Sequence, residues 1–159
     1  GYNALAAYVI GRYFGVSPQN AKMALESYIP DNNRSQVIRK KNLHITLDAY
    51  NANPTSMYAA LASFSKKEGK KIAILGQMNE LGRYTEIEHK QLVDWIKTST
   101  LDDCYWVGSA FAAFVSADKY FYDVDQAIDY FTKTSIGQAS LLVKGSRSFT
   151  LEKLVDVFH

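Results

Sequence analysis

The stretch Leu43-His44-Ile45-Thr46-Leu47-Asp48-Ala49-Tyr50-Asn51-Ala52-Asn53-Pro54-Thr55-Ser56-Met57, continued by Tyr58-Ala59-Ala60-Leu61-Ala62-Ser63-Phe64, decides the fold class. Leu43 to Leu47 is a strand-like apolar run, Tyr58 to Phe64 is a helix-like run, and a polar turn joins them. A carboxylate, two carboxamides and a tyrosine crowd into that turn. Open α/β sheets bind their ligands in such strand-to-helix turns. Pro54 suits the first turn of a helix, and Asn53 before it is pushed toward an extended backbone. One Asn or Asp is enough to cap a helix. The surplus of polar groups points to a polar ligand, with capping as the purely structural alternative.

Working outward, the same alternation repeats. Gln36 to Arg39 and His44 to Leu47 form a hairpin around Lys40 to Asn42. A helix over Ser56 to Lys66 leads to a strand over Lys71 to Leu75, and a helix over Glu86 to Thr98 leads to a strand over Tyr105 to Val107. A short helix near Ser109 to Val115 precedes a strand over Lys119 to Tyr122. A helix over Asp125 to Thr132 precedes a strand over Ser140 to Val143, and a last helix covers Leu151 to Phe158. Strands alternating with helices predict an α/β fold, a Rossmann-like, mostly parallel sheet of about six strands with helices on both faces.

The first thirty residues read differently. Asn3 to Phe14 carries apolar residues at helical spacing and stops near Gly15, and Ser17-Pro18 caps a second helix. Pro30-Asp31-Asn32-Asn33 is a loop and a candidate boundary. Two helices of this size cannot bury a core alone. Residues 1–32 are therefore expected to be the end of a preceding domain and its linker, and residues 33–159 a second domain.

Composition excludes more than it identifies. A net charge of +2, with 47% apolar and 21% charged residues, describes an ordinary globular protein and gives no footprint for nucleic acid or an acidic membrane. Arg39-Lys40-Lys41 reads as a solvated hairpin tip. The 11 tyrosines are scattered rather than arrayed for base stacking. Cys104 is the sole cysteine, so a disulfide framework and a cysteine zinc site are excluded; inside Cys104-Tyr105-Trp106-Val107 it reads as a core residue. No signal peptide and no apolar run of about 18 residues is present, and the expected location is the cytoplasm.

Two further loops sit directly after strands. Gly76-Gln77-Met78-Asn79-Glu80-Leu81-Gly82 follows Ile72 to Leu75, with glycines bracketing Glu80. It serves either as a plain connector or as a place where backbone approaches a ligand. Lys144-Gly145-Ser146-Arg147-Ser148 follows Leu141 to Val143 and places two cations beside two hydroxyls. That suits a phosphate or carboxylate as well as it suits solvated surface charge. Neither loop has the G-x-G-x-x-G or the P-loop pattern. His44, His89 and His159 show no metal-ligand spacing and read as solvent-facing or locally hydrogen-bonded.

Taken together, Asp48 to Met57, Ile74 to Gly82 and Val143 to Arg147 resemble the C-terminal domain of the Mur ligase family, and the Tyr50-Asn51-Ala52-Asn53-Pro54 run resembles its D-alanyl-D-alanine-adding branch, the MurF ligases. Residues 1 to about 30 resemble the last helices of that family's central ATPase domain. The resemblance implies an ATP-dependent amide ligase of peptidoglycan synthesis. ATP phosphorylates the carboxylate of UDP-MurNAc-tripeptide, and the amine of D-Ala-D-Ala attacks the acyl phosphate, with Mg2+ bridging the phosphates. On the same basis Arg34, Asp48, Asn51 and Asn53 are expected on the ATP side. Tyr50, Glu80, Lys144, Ser146 and Arg147 are expected on the D-Ala-D-Ala side, with no catalytic residue or metal ligand assigned in this chain. Leu47, Gln77 and Asn32-Asn33 depart from the family pattern, and the first two departures leave Asp48 and Glu80 to carry any acidic role.

The Gly-Lys-Thr phosphate loop, the magnesium ligands and the UDP-binding domain have no counterpart here. The chain is therefore expected to be a C-terminal fragment, inactive alone, that packs on its own central domain. A Mur-type ligase of different amino-component specificity and a non-catalytic Rossmann-like binding module are the alternatives.

Overall fold

A computed structural model describes residues 2–28 and 35–158. The chain divides into two compact units, Gly1–Pro30 and Asp31–His159.

The first unit is a helical hairpin of α1 (Tyr2–Tyr13) and α2 (Pro18–Ser27). Gly15 turns between them at φ +83°, a conformation open to glycine at no steric cost. Ser17 caps α2 by accepting from the Asn20 N–H at 3.2 Å, and Pro18 takes the first helical position. Ala21 is the one described residue of this unit that is buried, while Leu5, Val9, Ile10, Tyr13, Phe14 and Met23 are exposed.

The second unit is built on β1 (Gln36–Lys40), β2 (Leu43–Asp48), β3 (Lys71–Gly76), β4 (Asp103–Val107), β5 (Tyr120–Phe121) and β6 (Ala139–Lys144). They form one sheet in the order β1-β2-β6-β3-β4-β5. β1 runs antiparallel to β2, and all other pairings are parallel. The six strands and the mostly parallel sheet match the sequence expectation. Among the helices, α3 (Pro54–Phe64), α4 (Thr85–Lys97) and α5 (Val124–Lys133) fall within two residues of their expected starts.

Alternate residues along each strand feed two cores. Ile72 and Ile74 face the layer made by α5 and the chain end, with Phe131, Leu151 and Leu154. Ala73 and Leu75 face the layer made by α3 and α4, with Met57, Leu61 and Leu92. Because both faces are covered, β3 and β6 are almost continuously apolar rather than alternating.

Two helical expectations shrink. Ser109–Phe111 is a single 3-10 turn, and the chain end is a 3-10 turn over Leu151–Lys153 followed by the four-residue α6 (Leu154–Val157). The Ala110 N–H is taken by Gln77 Oε1 at 3.0 Å and the turn packs against α4, so tertiary contacts hold this segment in place of a regular helix. At the chain end, Thr150 adopts the left-handed conformation at φ +47°, which breaks the helical path between the turns on either side.

Candidate functional site

β2, β6 and β3 are neighbours and parallel, so their C-terminal ends lie side by side on one rim. The chain leaves β2 and β3 toward the α3/α4 layer and leaves β6 toward the opposite layer. Such a divergence is a topological switch point, where a crevice opens beyond the strand ends. All three loops singled out in the sequence are on this rim.

The Asp48 to Asn53 turn uses much of its polarity internally. Asn53 is the N-cap of α3: its Oδ1 accepts from the Ser56 N–H at 2.9 Å and its own N–H donates to Ser56 Oγ at 3.1 Å, a reciprocal capping box. Asn51 Oδ1 accepts from the Ala52 N–H at 2.8 Å. Both Asn side chains remain exposed, as does Tyr50.

Asp48 and Lys144 are register partners at the ends of β2 and β6. Their side chains meet on the α3 face, with Lys144 Nζ 2.6 Å from Asp48 Oδ2 and 3.3 Å from the Asn51 carbonyl. Lys144 is 1% exposed. The other Asp48 oxygen accepts from the Ser35 N–H at 3.2 Å. One ion pair therefore ties together two strand ends, the first loop and the start of the described domain. Lys144 and Arg147, adjacent in the sequence motif, have opposite environments. Arg147 is at the surface and pairs with Glu152 at 3.3 Å.

The second and third loops are stitched together. Ser146 is buried, and its Oγ accepts from the Asn79 N–H at 3.0 Å while its N–H donates to the Gln77 carbonyl at 3.3 Å. The Asn79 side-chain amide donates to Ser148 Oγ at 2.7 Å. Gly76 and Gly145 are needed where the end of β3 and the residue after β6 approach each other and Leu151. A Cβ on Gly145 would fall 2.7 Å from Leu151 Cδ1 and 2.8 Å from Gly76 Cα. Glu80 projects into solvent from a backbone at φ +64°.

Beside these loops a cleft of about 260 Å³ is lined by Gln77, Ser109, Asp123, Ser148 and Thr150 among others. Among the described residues no group of three or more His, Cys, Asp or Glu could hold a metal ion. Arg34 lies outside the described residues.

Sequence reading missed two features of the rim. The Asp48–Lys144 pair depends on inter-strand register, which spacing does not reveal. His89 is fully buried, and its Nε2 accepts from the Met78 N–H at 3.0 Å. Its partner is a backbone N–H eleven residues away, which no pattern of residue types marks.

Residues 33–147 match the family described as Mur ligase, glutamate ligase domain. The chain is 33% identical over 96% of its length to the UDP-N-acetylmuramoyl-tripeptide--D-alanyl-D-alanine ligase of Bacillus subtilis, and covers 36% of that protein. A crystal structure of MurF from Acinetobacter baumannii superposes with a TM-score of 0.84 at 30% identity, covering 97% of this chain and 36% of that one. MurF ligase from Thermotoga maritima, solved in complex with ADP, shares the fold with a TM-score of 0.74 at 24% identity, covering 94% of this chain and 35% of that one. The chain thus spans about a third of the length of the relatives it matches.

Proposed function

This chain belongs to the Mur ligase family, and on that premise we propose that it serves as the C-terminal domain of an ATP-dependent ligase joining D-Ala-D-Ala to UDP-MurNAc-tripeptide. The reading places it in the cytoplasm, in peptidoglycan synthesis. The observation that carries it is the gathering of three motif loops on one switch-point rim, in a chain that aligns along nearly its whole length with a ligase of that name.

ATP phosphorylates the tripeptide carboxylate, the dipeptide amine attacks the acyl phosphate, and ADP and phosphate leave. Chemistry of this kind is catalysed mainly by positioning and charge neutralisation. Asp48, Asn51 and Asn53, with Arg34, would present the nucleotide side of the rim. On the dipeptide side, Tyr50, Glu80 and Arg147 reach solvent and can touch substrate. Lys144 and Ser146 are buried, so they act by holding the loops. The described residues do not fit a magnesium site of their own, and Mg2+ would be held by the central domain on which this one packs.

The test is phosphate release from ATP, UDP-MurNAc-tripeptide and D-Ala-D-Ala by the full-length protein, run beside the 159-residue chain alone. Dipeptide-dependent release by the full-length protein and none by the chain is the expected result. Release that ignores the dipeptide would sink the substrate assignment, and turnover by the chain alone would sink the division of labour. In the full-length protein, Arg34→Ala is expected to lose about 2–4 kcal/mol of transition-state binding, as for removal of one preorganised electrostatic group.

A further inference from the structure

Three consecutive residues after β3 each bond a different element. Gln77 Oε1 accepts from the Ala110 N–H at 3.0 Å, in the turn after β4. Met78 donates its N–H to His89 Nε2 in α4 at 3.0 Å. Asn79 donates its N–H to Ser146 Oγ at 3.0 Å and its side-chain amide to Ser148 Oγ at 2.7 Å, beyond β6. The loop is a junction that sets the mutual placement of the β3, β4 and β6 ends. Of these links, the one able to titrate near neutral pH is His89.

The tautomer of His89 follows from its partners. Nδ1 lies 2.6 Å from the Thr85 carbonyl, which can only accept, so Nδ1 carries the hydrogen. Nε2 then offers a lone pair to the Met78 N–H. The ring has no exposed surface, and its neighbour across the core is the Phe111 ring, 4.7 Å away and edge-on. Met78 and Phe111, on the elements packed against it, are uncharged. Glu88, on its own helix, is the charged group acting on it among the described residues. A protonated ring would aim Nε2–H at the Met78 N–H, donor against donor, and the junction would lose that link.

We propose that His89 is a positioning residue for the rim, holding the 77–79 loop and, through Asn79, the 146–148 loop, and that only its neutral Nδ1–H form does so. The kinetic consequence rests on the ligase reading; the tautomer and the loop anchoring rest on geometry alone.

Long-range proton–nitrogen NMR of the histidine rings in the 159-residue chain is expected to show His89 as the neutral Nδ1–H tautomer at pH 7. Burial should also keep it neutral below the ordinary histidine range. In His89→Leu, Met78 amide exchange should accelerate about tenfold or more, as for loss of a buried hydrogen bond. In His89→Gln, whose Oε1 can stand near the Nε2 position, it should stay within about threefold of the parent. In the full-length ligase, His89→Leu should raise KM for D-Ala-D-Ala about tenfold, with kcat changed less, and His89→Gln should restore it. An Nε2–H tautomer, or unchanged Met78 exchange in a folded His89→Leu chain, would overturn the proposal. If His89→Leu does not fold, the tautomer in the parent chain decides. A full-length protein with no dipeptide-dependent turnover would defeat the ligase reading, while the exchange measurements still judge His89.

Discussion

Removing either partner of the Asp48–Lys144 pair should destabilise the second unit, and the two losses should be unequal. Lys144 is 1% exposed, whereas the Asp48 side chain is 21% exposed. In Asp48→Ala the ammonium is left sealed, with the Asn51 carbonyl at 3.3 Å as its recorded partner. Breaking a buried pair in this way costs about 3–5 kcal/mol. In Lys144→Met the remaining carboxylate keeps the Ser35 N–H and reaches water. The loss then falls to roughly 2 kcal/mol, near that of one hydrogen bond to a charged group. The double variant should recover much of the Asp48→Ala loss, because no uncompensated charge remains. Urea unfolding followed by tryptophan fluorescence reads this directly, since Trp95 and Trp106 both pack in the α3/α4 layer of this unit. Equal losses in the two single variants, or strict additivity in the double, would refute the account of Lys144 as a buried charge held by Asp48. It follows that Asp48 substitutions in a full-length enzyme must be read for stability as well as turnover.

Gly145→Ala should lower stability by about 1–3 kcal/mol through overpacking, because its Cβ would meet Gly76 backbone at 2.8 Å; a lowered thermal midpoint checks this. Asn53→Ala should cost about 1 kcal/mol by removing the α3 cap, seen as a lower urea midpoint at an unchanged slope. Burial, opposed by the Thr85 carbonyl and Glu88, lowers the His89 pKa in the folded state. As pH falls through about 6.5 the unfolded chain therefore takes up the proton first. Stability contributed by neutral His89 is fully present above that pH and declines below it. Urea midpoints at pH 7.5 and 5.5 should show the decline in the parent chain and a smaller one in His89→Gln.

The fold was legible because its signals are local. Strand and helix periodicities in Leu43–Phe64 and Ile72–Lys97 were strong enough to give α/β architecture and the placement of all three loops. Elements held mainly by tertiary contacts read poorly: Ser109–Phe111 folds as a 3-10 turn against Gln77 and α4, and Thr150 splits the chain end. Within the candidate site, residue types marked three loops that the structure brings to one rim, but not the environments of their side chains. Asn53 gives its side-chain oxygen to a helix cap, and Lys144 is an internal counter-ion instead of a surface cation.

By itself, then, the order of residues determined the parallel sheet, its rim and the family to which the chain belongs, since each depends on patterns within a few residues of one another. Only the tertiary structure decided which polar groups remain available on that rim. β6 inserts between β2 and β3, brings Lys144 level with Asp48, and buries the Lys144 ammonium beneath the Asn51 loop, with the partly exposed Asp48 carboxylate as its counter-ion. That alignment arises from strand register across some hundred residues of chain, where burial makes an unpaired charge costly. No local pattern carries that information.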